Sequence, residues 1–414
     1  MDSLLVNGKG AVDCWSREEI TRFTGPGIAP VLSRNNLEMT DKGCFPPEVL
    51  PILRGNSSAI NYSAIPPSVF EICTPTRGSR ETVKAPRDKK WLALDIISSA
   101  GIHTVAFSID EHPLWVYAVD GHYVEPVQVD VLTVANGDRY SVFIELTNPG
   151  NKTTFGIRVA SLALAQLIDT TALFVYEDRR SYSTTHGPYT NTTSLQLTSK
   201  PYTNRAGRPI SPNSTVVLEH ADTTSFPPKF PQPAPSPSQT FFLTTGNVKN
   251  IYTWALNATP FSHDAFDHGT PLLYTPPTLS NGNGNITIVT QNETWIDLIF
   301  LVPNLSSPPH PMHKHGNRAF ILGEGEGNFT WPDVASAAAA RPELFNLVNP
   351  SYRDGFVTPP SSRQPTWLAV RYQVENPGAW MLHCHMQSHL SGGMAVVILD
   401  GVDEWPEVPA QYQN

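Results

Sequence analysis

HCHMQSHLSGGM, residues 383–394, is the stretch that decides what the rest of the chain has to build. It places Cys384 between two histidines, with His389 five residues and Met394 ten residues further on. A thiolate, imidazoles and a distant thioether are the ligands of a blue-copper electron-transfer centre, in which the long axial methionine tunes the potential. The stretch therefore predicts a copper site that contains Cys384, His389 and Met394 and needs a second histidine from elsewhere.

A second stretch, HPMHKHG at residues 310–316, supplies that histidine. Side chains alternate along an extended strand, so His313 and His315 share one face while His310 can reach another site. The same alternation turns Cys384 away from the histidines on either side of it. The two stretches together predict two metal sites on opposite sides of the same strands, connected through one backbone.

Two plainer interpretations compete with a copper site. The histidines could be ordinary core residues around a buried structural cysteine. A zinc site is a better rival, but structural zinc prefers a closed tetrahedron of cysteine and histidine, and methionine is not among its usual ligands.

In this order, and about seventy residues apart, the two stretches resemble the paired C-terminal copper signatures of the multicopper oxidases, the family of laccases and ascorbate oxidases. The resemblance implies that His310, Cys384 and His389 bind a type 1 copper, with Met394 in the axial position. The other histidines resemble ligands of the remaining coppers: His313 of the type 2 copper, and His315, His383 and His385 of the type 3 pair.

The resemblance also implies a reaction. A small reducing substrate gives up single electrons at the type 1 copper, whose ligand His389 is expected nearest the surface. Electrons then pass through Cys384 to the neighbouring histidines and on to the other coppers, where dioxygen becomes water. Dioxygen and a small reductant are thus the expected partners, and His389 and Cys384 the expected catalytic residues. The full-length protein would hold four coppers.

Composition restricts the class of partner and of fold. The chain has 414 residues, a formal charge of -9 and a pI near 5.8, which argues against nucleic acid or an anionic membrane as partner. Thirty-nine prolines, 27 glycines and only 16% charged residues favour an all-β protein rich in turns. No apolar run reaches the length of a membrane span.

The expected architecture is two cupredoxin-like Greek-key β-sandwich or barrel domains. Period-two alternation in the first half, as at Val127, Val129 and Val131, predicts half-buried antiparallel strands. The sequence SLLVNGKG near the start is similar to that of the middle domain of fungal multicopper oxidases, a domain that binds no copper. The predicted segments are a copper-free domain at 1–178, a linker rich in proline, serine and threonine at 179–238, and a copper-bearing domain at 239–414.

Finer expectations follow within those domains. His103, His112 and His122 are interpreted as structural or surface residues and not as ligands. Asp333, before a run of alanines, is predicted to cap a short helix. Strands of the second domain are predicted at 240–244, 285–291, 294–302, 318–323, 366–374 and 394–399.

With Cys384 set aside as a ligand, an odd number of cysteines remains: Cys14, Cys44 and Cys73. The middle domain of plant ascorbate oxidase has a comparable trio. Carried over, that resemblance implies a Cys14–Cys44 disulfide and leaves Cys73 without a partner in this chain.

The same features of the sequence bear on where the protein is located and on whether the chain is complete. Ten N-x-[ST] triplets are typical of a secreted glycoprotein, yet the chain opens MDSLLVNGKG, without the pattern of a signal peptide. No HxH pair occurs before residue 313, whereas family members carry two further pairs in an N-terminal domain. The absent leader, the absent pairs and the leftover Cys73 predict that the sequence is the C-terminal two-thirds of a secreted multicopper oxidase.

The activity expected of the chain as written is correspondingly partial. It should bind at most one copper tightly and reduce no oxygen, because its type 2 and type 3 coppers would have four of their eight histidines. Met394 places the type 1 potential at the lower end of the family range, which favours catechols, hydroxynaphthols, other electron-rich phenols or ascorbate. The alternatives are a one-copper electron-transfer or copper-binding protein, and an inactive product. The exact reductant and the oligomeric state are not predicted.

Overall fold

Strands dominate the computed structural model, which describes residues 3–54, 61–147, 150–177, 197–235, 239–248, 252–264, 270–274, 286–304 and 307–412. Four sheets form two β-sandwiches, one after the other along the chain. The predicted all-β class is therefore confirmed. Among the described residues, no helix is both long enough and apolar enough to cross a membrane.

The first sandwich pairs a six-stranded sheet, in the order β1-β9-β8-β3-β6-β10, with a four-stranded sheet, in the order β2-β7-β4-β5. Its strands are β1 Thr82–Pro86, β2 Trp91–Ile97, β3 Val105–Ile109, β4 Leu114–Val119, β5 His122–Val129, β6 Val131–Val134, β7 Arg139–Glu145, β8 Thr154–Ser161, β9 Asp169–Glu177 and β10 Val217–Leu218.

The second sandwich pairs a six-stranded sheet, in the order β12-β11-β14-β19-β16-β17, with a five-stranded sheet, in the order β13-β21-β20-β15-β18. Its strands are β11 Thr240–Asn247, β12 Trp254–Leu256, β13 Thr287–Val289, β14 Trp295–Val302, β15 Pro311–Lys314, β16 Ala319–Glu326, β17 Tyr352–Arg353, β18 Gly355–Val357, β19 Thr366–Gln373, β20 Gly378–Cys384 and β21 Ala395–Asp400.

Hydrophobic alternation explains where each core lies. In β9 every second side chain is buried, from Thr170 to Tyr176, because one face packs inside the first sandwich. Strand β14 is buried on both faces. Leu298 faces the interior of the second sandwich, whereas Ile299 packs under a helix, α4, at Val334–Ala340. Asp333 caps that helix by accepting a hydrogen bond from the Ser336 amide at 2.7 Å, as predicted.

In the described part of the segment before the first sandwich there are three short α-helices that sequence periodicity did not predict: α1 Arg17–Phe23, α2 Ala29–Arg34 and α3 Val49–Arg54. Each has six or seven residues, too few to show a helical period. The sequence nevertheless carries a start signal for α1. Ser16 and Glu19 form a reciprocal capping box, the S-x-x-E pattern that marks a helix N-terminus.

The disulfide predicted between Cys14 and Cys44 is wrong. Cys14 bonds to Cys73, with their Cα atoms 5.9 Å apart. The segments carrying these two residues are hydrogen-bonded to each other, through the Thr76 amide and the Val12 carbonyl at 3.1 Å. Cys44 keeps its thiol, because the intervening helices carry it away to form a β-bridge with Gln166.

Between the sandwiches, residues 197–235 cross from one to the other, while 179–196 and 236–238 of the predicted linker lie outside the described residues. Short stretches of this segment are firmly packed. Leu218 in β10 is buried and pairs with Leu132, and Thr223 bonds to Ser351 of the second sandwich at 2.9 Å. The domain limits themselves stay a prediction.

Candidate metal centre

The two histidine-rich stretches lie side by side. Strands β15 and β20 pair in antiparallel register, which sets Met312 opposite Cys384 and His313 opposite His383. Met312 and Cys384 point into the core of the second sandwich and are 1% and 0% exposed. The histidine pair lies on the opposite face, as strand alternation requires.

On the core side, three predicted ligands converge. The Nδ1 atoms of His310 and His389 are 3.2 Å apart, and the Cys384 sulfur is 3.9 Å and 3.6 Å from them, respectively. Ligand atoms bound at about 2.0–2.3 Å to one tetrahedral ion lie roughly 3.3–3.6 Å apart, so these spacings suit a single metal ion. All three residues are buried, and their donor set of two imidazoles and a thiol fits copper.

Met394 is fully buried in the same core and joined to the cluster through its backbone. Its amide donates to the His389 carbonyl at 2.9 Å, and its carbonyl accepts from the Cys384 amide at 3.0 Å. A short helix, α5, spans Gln387–Ser391 and brings His389 back over Cys384. The loop after α5 thus holds the predicted axial residue beside the other three.

Trp254 is a further residue of this centre, and the sequence did not single it out. Its indole stacks on the His389 imidazole with ring centroids 3.7 Å apart and an interplanar angle of 24°. On the other side, Ser307 Oγ is 3.0 Å from His310 Nε2, which leaves Nδ1 directed at the cluster. A tryptophan on another strand gives no local signal, since its place depends on β12 reaching the loop after α5 through the Gly392 carbonyl.

Burial makes the Cys384 site dependent on a cation. Complete burial raises the pKa of its thiol to about 12, so without a nearby positive charge the group stays protonated at neutral pH. A bound cation reverses that preference, because a coordinating thiol is deprotonated outright.

On the opposite face, the other four predicted ligands form a second cluster. The Nε2 atoms of His315 and His383 are 3.2 Å apart. The His313 ring centroid lies 4.9 Å from that of His315 and 6.1 Å from that of His385. Burial lowers the pKa values of His315, His383 and His385, that of His383 to about 4. These rings are consequently neutral at pH 7, the state in which imidazole binds metals.

A cavity of about 330 Å³ opens beside this second cluster, between the two sandwiches. His313 and His385 line it from one side, and the turn Asn136–Arg139 of the first sandwich lines it from the other. Gly137 in that turn has φ +88°, and a Cβ there would lie 2.8 Å from the His385 ring. The first sandwich therefore approaches His385 so closely that no side chain fits at Gly137.

The three other histidines interpreted as structural have protein neighbours. His112 bonds through one ring nitrogen to the Asp110 carbonyl at 2.7 Å and through the other to the Tyr176 hydroxyl at 2.9 Å. His103 is buried with Nδ1 2.7 Å from Ser161 Oγ, and His122 packs edge-on against Tyr352.

Comparison with known proteins agrees with this arrangement. Two family profiles, both described as multicopper oxidase, match residues 1–179 and 249–404. The chain is 37% identical to the multicopper oxidase elcG of Phaeosphaeria nodorum over 418 aligned residues. It is 36% identical to the laccase abr2 of Aspergillus fumigatus over 416 and 34% identical to laccase-1 of Emericella nidulans over 423.

The alignments cover 98% to 100% of this chain but only 64%, 66% and 67% of those three relatives. The chain thus spans about two thirds of their length.

Solved structures share the fold at low sequence identity. A laccase from Botrytis aclada superposes with a TM-score of 0.58 at 20% identity, covering 84% of this chain and 57% of that one. Fet3p, described as a multicopper oxidase that functions in iron import, gives 0.58 at 19%, covering 80% and 59%. With the family profiles and the fungal relatives, these likenesses lead to one conclusion: the chain belongs to the multicopper oxidase family, whose members use copper.

Proposed function

We propose that this chain provides the substrate-oxidising part of a fungal laccase-type oxidase. The observation that carries the proposal is the convergence of His310, Cys384 and His389 on one buried point, at 3.2–3.9 Å between their ligand atoms. In the full-length protein this centre would take single electrons from a phenol, a diphenol or an ascorbate-like reductant. The oxidation would be coupled to reduction of dioxygen to water.

A copper ion held by these three side chains would supply one-electron redox chemistry. The chain's own residues provide the rest of the arrangement. Cys384 is joined by single peptide units to His383 and His385 of the second cluster, so a short covalent path links the two faces of β20. Trp254 and the apolar core exclude water from the first cluster, which controls the dielectric around it and hence the potential.

The second cluster is proposed to hold half of a three-copper site, with His313 on the type 2 copper and His315, His383 and His385 on the type 3 pair. Support comes from the face that the four histidines share, from the lowered pKa values of His315, His383 and His385, and from the adjoining cavity. Four histidines do not complete such a site. Oxygen reduction is therefore proposed for the full-length protein only.

We propose a secreted, glycosylated full-length protein, as its ten sequons indicate. Asn151, Asn213 and Asn328 are exposed, which supports access by a glycosyltransferase. Asn56, Asn191 and Asn285 lie outside the described residues.

Copper stoichiometry tests the proposal directly. The purified chain, loaded with copper and dialysed, should retain one tight copper with the intense visible absorption of a copper–thiolate bond. Cys384→Ser should lose both. Cys44→Ser is the matched control and should keep both. Absence of a tight copper from the unmodified chain would refute the first cluster as a copper site. Steady oxygen uptake would refute the proposal that the second cluster is incomplete.

A second candidate function is a one-copper electron-transfer or copper-binding protein. It is favoured by one observation: among the described residues, His310, Cys384 and His389 are the group whose ligand atoms come within 4.8 Å of one another. One copper per chain, reducible and reoxidisable by small redox partners without oxygen consumption, would select this function. Four tight coppers would exclude it.

A further inference from the structure

The candidate ligand His313 is oriented by a loop that bonds to the first sandwich. The loop Arg353–Gly355 joins β17 to β18, and the Asp354 carbonyl lies 3.0 Å from His313 Nδ1. A carbonyl can only accept, so Nδ1 carries the proton and donates it. In the neutral imidazole, the lone pair is then on Nε2. Partners of this kind fix both the tautomer and the ring orientation of a ligating histidine.

Arg139 holds this loop from the first sandwich. Its two terminal nitrogens donate to the two Asp354 carboxylate oxygens, each at 2.7 Å. A bidentate guanidinium–carboxylate pair fixes direction as well as distance.

The residues on either side of Asp354 are also hydrogen-bonded to the first sandwich. Arg353 is fully buried and donates to Asp120 at 2.9 Å and to Asp138 at 2.6 Å. The Gly355 amide donates to Asp120 at 3.3 Å. Loop Arg353–Gly355 is thus bonded at three successive residues to the first sandwich. The Asp354 carbonyl therefore cannot move relative to His313 unless charged contacts between the two sandwiches break.

We propose that Arg139 is a positioning residue for His313: it acts across the boundary between the sandwiches, through Asp354, to keep Nδ1 protonated and Nε2 directed at the metal. The proposal deepens the proposed function, since it rests on His313 as a metal ligand. It gives the first sandwich a definite role in the metal chemistry.

The test reads the imidazole itself. Long-range proton–nitrogen NMR of the metal-free chain reports which nitrogen of His313 is protonated, with the signal assigned by its loss in His313→Gln. The unmodified chain should show the Nδ1–H form. Arg139→Gln should convert His313 to a mixture of the two tautomers. An unchanged Nδ1–H signal in folded Arg139→Gln overturns the proposal.

Arg158→Gln is the matched control. Arg158 forms a similar two-bond pair with Asp110, at 3.1 and 2.8 Å, within the first half of the chain. Its loss should lower stability without moving the His313 signal. Equal shifts in both variants would mean general loosening and would overturn the proposal.

Arg139→Lys tests the proposal if the Arg139→Gln variant does not fold. Lysine keeps the charge but offers a point contact in place of the planar fork. A partial shift towards the second tautomer is expected, and no shift at all counts against the proposal.

A metal titration separates this inference from the proposed function. In the Cys384→Ser background, Cu(II) binding at the histidine cluster should weaken roughly 10- to 100-fold on adding Arg139→Gln. If Cu(II) does not bind there even with Arg139 intact, the ligand role of His313 fails. The tautomer measurement still decides whether Arg139 positions the ring.

Discussion

At the scale of single residues, Met394 offers the simplest test of the copper centre. Its thioether is expected as a weak axial donor, which stabilises oxidised copper. Met394→Leu removes that donor and should raise the potential of the type 1 copper, measured by redox titration of the visible absorption. A potential that does not move would show that the methionine is no ligand.

Trp254 should matter to the same centre through its contact with His389. Trp254→Leu removes the stack at 3.7 Å, frees the imidazole to tilt and admits water to its face. We expect copper affinity to fall roughly tenfold, as for other residues that orient a ligand, when measured by competition with a chelator. Trp254→Phe keeps a ring there and should retain most of the affinity. Equal losses in both variants would argue against stacking as the cause.

His103 makes stability depend on pH. Burial lowers its pKa from 6.5 to about 4, so the folded chain binds fewer protons than the unfolded chain between those values. Stability is therefore full above about pH 6.5 and declines as the pH falls towards 4. Between pH 7 and pH 5 this histidine should account for about 2 kcal/mol of lost unfolding free energy. In urea unfolding, the loss of unfolding free energy between pH 7 and pH 5 should be smaller by about this amount in His103→Asn than in the unmodified chain. An equal loss in both proteins would exclude His103 as the source.

At the scale of elements, the corrected disulfide joins the two ends of the helical segment that precedes the first sandwich. The bond closes a loop with a sequence separation of 59 residues between Cys14 and Cys73. Cys14→Ser should cost about 2–5 kcal/mol of unfolding free energy. Cys44→Ser, which breaks no disulfide, should cost much less. Comparable losses in denaturant unfolding would contradict the assigned pairing.

Strong local patterns predicted elements well. The strand expected at 294–302 is observed at Trp295–Val302, and the helix expected after Asp333 begins at Val334. Short helices were missed because six residues carry too little periodicity. The cysteine pairing was missed because connectivity depends on which segments run side by side, as 12–14 and 73–76 do here, and spacing does not encode that.

At the scale of the whole molecule, buried charges connect the sandwiches. Arg353 bonds to Asp120 and Asp138, more than two hundred residues away in sequence. Arg353→Met would remove the guanidinium that both buried carboxylates share, at a cost of about 3–5 kcal/mol. We expect calorimetry of the Arg353→Met variant to show the two sandwiches unfolding in separate transitions. Arg341→Met, which removes an exposed pair with Glu343, should leave the transitions unchanged; a similar splitting there would refute the role of Arg353.

Strand alternation separated Cys384 from the histidines on either side of it, and the structure brings the candidate ligands into two clusters on opposite faces. What the sequence could not predict is the part that depends on how the sandwiches dock. Arg139 and Asp354 lie 215 residues apart, and neither has a local pattern that marks it. Trp254 was missed for the same reason. Residue type and spacing thus predicted the candidate ligands, whereas the residues that support them became visible only in three dimensions.

One further consequence follows from the pairing of β15 with β20. Lys314 lies between two histidines but points to the opposite face, where it pairs with Asp400 at 2.7 Å in complete burial. Deleting or inserting one residue in either strand would exchange the two faces. A histidine would enter the core while Cys384 or Lys314 turned towards the cavity. These strands should therefore tolerate many substitutions but no change of length, and a library of single-codon deletions should contain no folded, copper-binding member within β15 or β20.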